Sequence, residues 1–257
     1  MSVFDFTHAI ARTPSRSVVN GLRAVDVGAP DFDGVMREHA AYVRAMQDAG
    51  VTVDVLPALE AYPDSIFVED TALVFQGAAI QLRPGAPTRA AEAREIAPAL
   101  EKHFERVLRL TEGSVDGGDV LTTDRGVFIG KSARTTRQGA QALVDLLDKI
   151  GLEGLPVTTP DGVLHFKSDC SLLDDETILA TKRLAASEVF EGFRLILVPD
   201  GEEYAANAVR VNDRVLISDA YPRTAEMLAK EGYTLVPLST REVSKIDAGL
   251  SCLSLRW

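Results

Sequence analysis

The sequence predicts an α/β protein built from five repeated strand-turn-strand-helix-strand units, and three observations carry that prediction. Short aliphatic and β-branched runs alternate with amphipathic stretches at helical spacing. The same order of elements recurs at about fifty residues per copy along the 257-residue chain, a period at which repeats stack around a centre or along an axis. A fifth copy is complete only if the last run of the chain joins the first, and such pairing would close a ring without free edges. The competing arrangement is an open α/β sheet with helices on both faces. Its dinucleotide-binding version is weakened by the lack of a Gly-x-Gly-x-x-Gly stretch after the first strand.

Each element has a local reason. Phe6 to Arg12 reads as a strand ended by Thr13-Pro14. From Asp31 to Ala49, Phe32, Val35, Met36, His39, Val43 and Met46 fall three and four residues apart, which predicts a helix capped by Asp31 and stopped by Gly50. Val51 to Leu56 alternates as a strand. In the next copy, Thr71 to Phe75 and Ala78 to Leu82 flank the turn Gln76-Gly77. A helix is expected over Arg89 to Leu100, with Pro98 unfavourable in its last turn, before a strand at Arg106 to Leu110. Then come strands at Val120 to Thr122 and Val127 to Gly130, a helix at Thr136 to Ile150 and a strand at Leu155 to Thr158. The following copy runs Ser171 to Leu173, Thr177 to Ala180, a short helix at Ala185 to Glu191, and Arg194 to Val198. Another runs Ala208 to Val211, Arg214 to Ser218, a helix at Arg223 to Glu231, and Thr234 to Pro237. Cys252 to Arg256 is the strand that completes the copy begun at the N-terminus. Loops such as Pro156 to Gly162 and Pro199-Asp200-Gly201 are too short to divide the chain, so residues 1–257 read as one domain.

Composition narrows the function. With 46% hydrophobic and 25% charged residues, the chain has the balance of a folded globular protein rather than a disordered one. Its 27 Lys and Arg against 38 Asp and Glu leave a formal charge of -11, which disfavours nucleic acid and anionic membrane as partners. An acidic cleft would instead attract a small cation. No run of eighteen apolar residues occurs, and the opening Met1-Ser2-Val3-Phe4-Asp5 lacks a basic and apolar leader pattern, so a cytoplasmic location with Cys170 and Cys252 as thiols is expected.

Several residues are candidates for chemistry. His8, His39 and His103 suit packing or surface roles. His165, in Val163-Leu164-His165-Phe166-Lys167-Ser168, follows a loop between apolar residues and reads as a general acid or base, or as a structural histidine. Cys252 at the last strand is a nucleophile if positive charge lowers its pKa, or a small core residue otherwise; Asp169 disfavours the same role for Cys170. Metal ligands at zinc-like spacing are absent, so no metal is expected. Two acidic stretches, Pro63-Asp64-Ser65-Ile66-Phe67-Val68-Glu69-Asp70 and Asp116-Gly117-Gly118-Asp119, precede matching strands of consecutive units. In a ring these carboxylates would converge, and a planar guanidinium is a natural counter-cation; in an open sheet they would be solvated turns. The paired glycines permit close backbone approach or positive φ. Arg89 and Arg134 suit either a bidentate clamp on an amino-acid carboxylate or surface and cap roles.

Taken as an ordered set, these motifs resemble the dimethylarginine dimethylaminohydrolase family of the guanidino-group-modifying enzyme superfamily. The stretches that carry the likeness begin with Ile10-Ala11-Arg12-Thr13-Pro14, the two acidic motifs, and Arg83-Pro84-Gly85-Ala86. They continue with Leu164 to Ser168, Ala205-Ala206-Asn207, Tyr221-Pro222-Arg223-Thr224, and Lys245-Ile246-Asp247-Ala248-Gly249-Leu250-Ser251-Cys252. The likeness spans nearly the whole chain. It departs from the family at Phe166, where Leu is usual, and at Asp116, where some relatives carry Glu.

What the resemblance implies is a five-bladed, pseudo-symmetric α/β propeller closed by its chain ends, with the site at its centre. The implied reaction is hydrolysis of N-omega-methylated arginines to citrulline and dimethylamine or methylamine through a covalent cysteine S-alkylthiouronium, without metal or organic cofactor. Cys252 matches the nucleophile, His165 the catalytic histidine, and Asp116 the acid facing the guanidinium, with Glu69 expected to share that cation. Asp64, Phe67, Glu69 and Asp70 match pocket positions. Leu22, Arg89 and Arg134 match contacts to the amino-acid end or its covering loop. Alternative readings are an arginine deiminase-like or other guanidine hydrolase, and a noncatalytic methylarginine-binding protein. Either a monomer or a homodimer is compatible.

Overall fold

In the computed structural model, which describes residues 2–257, the strands group into five separate three-stranded sheets. The first sheet joins β1 (His8–Arg12) and β2 (Thr52–Leu56) across helix α1 (Phe32–Asp48). Next follow β3 (Ala72–Phe75), β4 (Ala78–Gln81), α2 (Ala97–His103) and β5 (Arg106–Arg109). The third unit holds β6 (Val120–Thr123), β7 (Gly126–Lys131), α3 (Arg137–Asp148) and β8 (Gly154–Thr158). The fourth holds β9 (Cys170–Leu172), β10 (Thr177–Ala180), α4 (Lys182–Ala185) and β11 (Arg194–Leu197). The fifth holds β12 (Val209–Val211), β13 (Arg214–Ser218), α5 (Pro222–Lys230) and β14 (Thr234–Leu238). Finally, β15 (Leu255–Arg256) returns to pair with β1, giving the sheet order β15-β1-β2.

One pattern repeats in every sheet. The middle strand pairs antiparallel with the first strand and parallel with the third. A tight turn suffices for the antiparallel step, but a parallel step needs a crossover, and in each unit a helix supplies it. Burial follows the same order. Middle strands β4 and β10 are buried throughout, whereas third strands β5 and β11 end on exposed residues. The helices turn their apolar stripes inward: Val35, His39, Tyr42 and Met46 of α1, and Ala140, Leu143 and Leu147 of α3, are buried. Asp31 caps α1 by accepting from Gly34 N at 2.8 Å, and Thr136 caps α3 through Gly139 N at 3.1 Å.

The ring closes where the sequence requires it. Ala9 pairs with Arg256 and Ile10 with Leu255, and His8 N donates to Trp257 O at 2.9 Å. The arrangement is thus a five-bladed α/β propeller, and the open-sheet alternative is excluded.

Three local expectations are corrected. The continuous helix over 89–100 is instead two 3-10 turns, Pro87–Arg89 and Glu92–Arg94, followed by α2. Buried Arg89 is tied to the backbone of Asp64 and Phe67, which fixes the chain before a helix can propagate, and Pro98 sits in the first turn of α2, where its missing N–H costs nothing. The helix expected at 185–191 ends early, because it starts at the Thr181 cap and Glu188 adopts the left-handed region at φ 56°. Cys252 is not in the last strand. It occupies the 3-10 turn Ser251–Leu253, and the strand begins at Leu255.

The short pairing of β15 makes a clear prediction. Leu255 is buried beside Ile10, Val68 and Leu100 in one apolar cluster, so Leu255→Ala is expected to destabilise the fold by about 2–5 kcal/mol in urea unfolding. A loss below about 1 kcal/mol would show that the ring does not depend on this seam.

Candidate active site

A 3-10 turn precedes the first strand of every blade: Val68–Thr71, Gly117–Asp119, Phe166–Ser168, Glu203–Ala206 and Ser251–Leu253. The 68–71 turn touches those at 117–119 and 251–253, and the 166–168 turn touches those at 117–119 and 203–206. Side chains at the strand entrances therefore converge at the centre, as the repeat argument requires. Asp70, Asp116, His165 and Cys252 meet in one pocket with Asp64, Phe67, Arg89, Arg134 and Leu22. A roomier cavity of about 370 Å³ runs along the first strands of all five blades, but it shares no residue with the pocket of about 50 Å³ that gathers these groups. Chemistry rather than size selects the site.

Glu69 belongs to the other cavity, which corrects its expected place beside Asp116. Its carboxylate accepts from Lys167 Nζ at 2.6 Å, Ser251 Oγ at 2.9 Å and Arg256 Nη2 at 3.3 Å. Adjacent residues in the tight turn diverge, so Asp70 faces the pocket while Glu69 faces away. Arg89 borders the pocket with its guanidinium largely engaged: Nη1 donates to Asp70 at 2.5 Å, and Nε and Nη2 donate to Glu92 at 3.0 and 2.5 Å. With Nη2 also reaching the carbonyls of Asp64 and Phe67, one Nη1 hydrogen is left without a protein acceptor among the described residues. Arg134 differs. Its guanidinium makes no ion pair with a carboxylate among the described residues.

Buried hydrogen bonds fix the acid–base groups. His165 Nε2 lies 3.0 Å from Asp116 Oδ2, while Asp116 Oδ1 accepts from Gly85 N at 2.6 Å. Asp119 lies behind them and accepts from Ser132 Oγ, Thr135 Oγ1 and Phe166 N at 2.6, 2.6 and 2.9 Å. It thereby holds the backbone next to His165. The two glycines of this motif serve close approach and not positive φ. A Cβ on Gly117 would lie 1.9 Å from the carbonyl oxygen of Glu69, and one on Gly118 would lie 2.8 Å from His165 Nδ1.

Charge sets the resting protonation. Burial opposes the imidazolium, but Asp70, Asp116 and Asp119 outweigh it and raise His165 to about 9. Burial, reinforced by Glu69 and Asp70, pushes the Cys252 thiol up to about 12, with a Gly249 backbone hydrogen bond and Lys167 acting the other way. At neutral pH the protein's own charges therefore favour a neutral thiol and an imidazolium. Cys170, buried outside this pocket and donating to Phe166 O at 3.3 Å, is also raised well above the ordinary thiol range by burial, with Asp169 adding to the effect. Asp70, Asp116 and His165 also offer three ligand atoms within 4.8 Å of one another. A metal would have to displace both the His165–Asp116 proton and the Arg89–Asp70 pair, so the group reads as an acid–base cluster.

Leu164, Ile246, Asp247 and Ala248 line the pocket as well and were not singled out as site residues from the sequence. The Lys245-to-Cys252 motif contained three of them, and its length before Cys252 was the available signal. Leu22 reaches the pocket because Asp64 Oδ1 accepts from Leu22 N at 2.9 Å, and Asp247 accepts from Ala24 N two residues on.

Comparison with known proteins follows the same line. The family model for "N,N dimethylarginine dimethylhydrolase, eukaryotic" matches residues 32–167. An N(G),N(G)-dimethylarginine dimethylaminohydrolase of Pseudomonas aeruginosa is 39% identical over 98% of this chain and 100% of its own. The Pseudomonas aeruginosa structure of a cysteine-to-serine variant complexed with citrulline superposes with a TM-score of 0.96, covering 99% of this chain and all of that one. A histidine-to-glycine variant of a dimethylarginine dimethylaminohydrolase, in an adduct with S-methyl-L-thiocitrulline, superposes at 0.95 over 98% of this chain and 100% of that one, at 39% identity.

The resting charge state is testable. The folded imidazolium keeps its proton to about 9, whereas the unshifted value is 6.5, so this cluster stabilises the fold fully below pH 6.5 and loses that contribution as pH rises through 9. An imidazole NMR titration is expected to place the His165 midpoint near 9, and Tm should fall across this window more for the natural protein than for His165→Asn. A midpoint at or below 6.5 would contradict the electrostatic account.

Proposed function

The chain belongs to the dimethylarginine dimethylaminohydrolase family, and on that premise we propose that it hydrolyses N-omega-methylated arginines to citrulline and a methylamine. The observation that carries this reading is the meeting of Cys252, His165, Asp70 and Asp116 in one buried acidic pocket. Residues 1–257 act as a single catalytic domain in this reading, with no metal or organic cofactor invoked.

A guanidinium is a poor electrophile, because its charge is delocalised and its amines leave badly unless protonated. Asp70 and Asp116 accept its N–H groups and hold the planar cation beside Phe67, with its central carbon toward Cys252. Arg134 meets the substrate carboxylate, with Arg89 contributing at the same end, while Asp64 and the Leu22 segment enclose the amino-acid backbone. The uncommitted guanidinium of Arg134 and the contact of Leu22 N with Asp64 support these roles.

Substrate charge also activates the nucleophile. Burial, reinforced by the negative charge of Glu69 and Asp70, disfavours the thiolate. An arriving cation opposes that field, so Cys252 loses its proton to solvent when substrate is present. The sulfur then bonds to the guanidinium carbon, giving a tetrahedral adduct. His165, already an imidazolium, donates its proton to the departing nitrogen, and the C–N bond breaks to release dimethylamine or methylamine. The thiouronium that remains is attacked by water whose proton passes to the now neutral His165. Collapse breaks the C–S bond and returns the thiolate with citrulline.

Asp116 is one methylene shorter than the Glu of some relatives, which leaves more room beside the reacting guanidine. Side-by-side assay of asymmetric dimethylarginine, monomethylarginine and arginine is expected to give citrulline from the methylated substrates at higher kcat/KM. Preferred release of ammonia from arginine would favour the deiminase reading instead. Cys252→Ser is expected to lower kcat by more than about 10³-fold, and tight stoichiometric binding by the natural protein without turnover would point to a binding protein. Because the reacting thiolate–imidazolium pair holds one proton fewer than the resting site, kcat/KM should rise with pH and level off above about 9, where His165 of the free enzyme gives up its proton.

A further inference from the structure

Four of the five strand-entrance turns bring chemistry to the pocket, through Asp70, Asp116, His165 and Cys252. The remaining turn, Glu203–Ala206, gives the pocket no side chain among the described residues. It is followed by Asn207, whose amide is spent entirely on its neighbours. Nδ2 donates to Lys167 O at 3.0 Å and to Ser251 Oγ at 3.1 Å, and Oδ1 accepts from Ser251 N at 3.0 Å. The amide orientation is unambiguous, since a backbone N–H only donates and a backbone carbonyl only accepts.

These bonds tie two catalytic turns together. Lys167 lies two residues after His165, and Ser251 immediately precedes Cys252. The circuit closes through Glu69, which accepts from Lys167 Nζ at 2.6 Å and from Ser251 Oγ at 2.9 Å. A second contact points the same way. Asn207 lies so flat on the chain before the nucleophile that a Cβ on Gly249 would be 2.4 Å from its Cγ. Gly249 is the residue whose backbone hydrogen bond favours the Cys252 thiolate.

We propose that Asn207 is a positioning residue, which locks the Cys252 turn against the His165 turn and seats Gly249 beneath the sulfur. The inference rests on the reading of Cys252 as nucleophile and His165 as its acid–base partner. Neither aspartate nor alanine reproduces all three contacts. Aspartate keeps the acceptor for Ser251 N but faces the Lys167 carbonyl with a second acceptor, and alanine leaves all three contacts unmade.

The test compares Asn207→Ala, Asn207→Asp and Ser251→Ala with the natural protein. For each, Tm, kcat and KM for asymmetric dimethylarginine, and the alkylation rate of Cys252 by iodoacetamide at fixed pH are measured, with the modified site read by mass spectrometry. Both Asn207 variants are expected to fold, to lose roughly 10- to 100-fold in kcat with KM within about threefold, and to alkylate severalfold more slowly. Ser251→Ala, which keeps the backbone bond to Oδ1, should lose less. Unchanged kcat and unchanged alkylation per folded molecule, with only Tm lowered, would overturn the proposal. If Asn207→Ala does not fold, the aspartate variant decides by the same readouts. If the natural protein hydrolyses no guanidine, the functional reading fails, yet the alkylation rates still decide whether Asn207 sets the thiol.

Discussion

The antiparallel seam between β15 and β1 is the constraint on which the remaining structure depends. It contains only two residue pairs, Ala9 with Arg256 and Ile10 with Leu255. Without it, the first blade would lack its inner strand and β1 would become an open edge. The seam also fixes the height of the 251–253 turn, which carries Cys252, relative to the turns that supply Asp70 and His165. Ring closure and placement of Cys252 are therefore a single event. Burial of Ile10 and Leu255 holds both, and the tilted stack of Trp257 against Phe104 at 4.7 Å anchors the chain end outside the strand.

Gathering carboxylates at the centre of the ring carries an electrostatic penalty, and the protein meets it with buried cations and directed donors. Arg89 engages Asp70 and Glu92, His165 engages Asp116, and Lys167 with Arg256 engages Glu69. Asp119 is satisfied by hydroxyl and backbone donors instead. What distinguishes the pocket is that its compensation is incomplete around Cys252, where Glu69 and Asp70 still disfavour the thiolate. A cationic ligand completes the balance. In the proposed reaction, the same unfavourable field that keeps the resting sulfur protonated would make its ionisation depend on substrate.

Neighbouring residues face different compartments throughout this centre. Glu69 and Asp70, Lys167 and His165, and Ser251 and Cys252 divide between the channel along the inner strands and the catalytic pocket. Charged groups on the channel side form a floor that shapes the groups on the pocket side. Close backbone contact makes this possible: Gly117 lies against the Glu69 carbonyl, and Gly118 leaves the face of its strand entrance open to the His165 ring. A methyl group at either position would force the turns apart.

Five repeats, their order, and the need to pair the chain ends were legible in the sequence, because hydrophobic periodicity and turn residues act over a few neighbours. The ordered motifs likewise brought out Cys252, His165 and the two acidic stretches, although periodicity alone left a closed ring and an open sheet both standing. Local pattern failed where long-range bonds govern the backbone. The helix over 89–100 broke because Arg89 is drawn into the carboxylate cluster, and Cys252 left its strand for a turn that packs against 68–71. Sequence could not tell which of Glu69 and Asp70 faces the pocket, nor that Arg89 is engaged while Arg134 is not. Those distinctions arise from side-chain direction across blades far apart in the chain. The residues thus determined what groups and repeats are present, and only the closed ring decided which atoms meet, because hydrogen bonds and charges select among neighbours that folding alone creates.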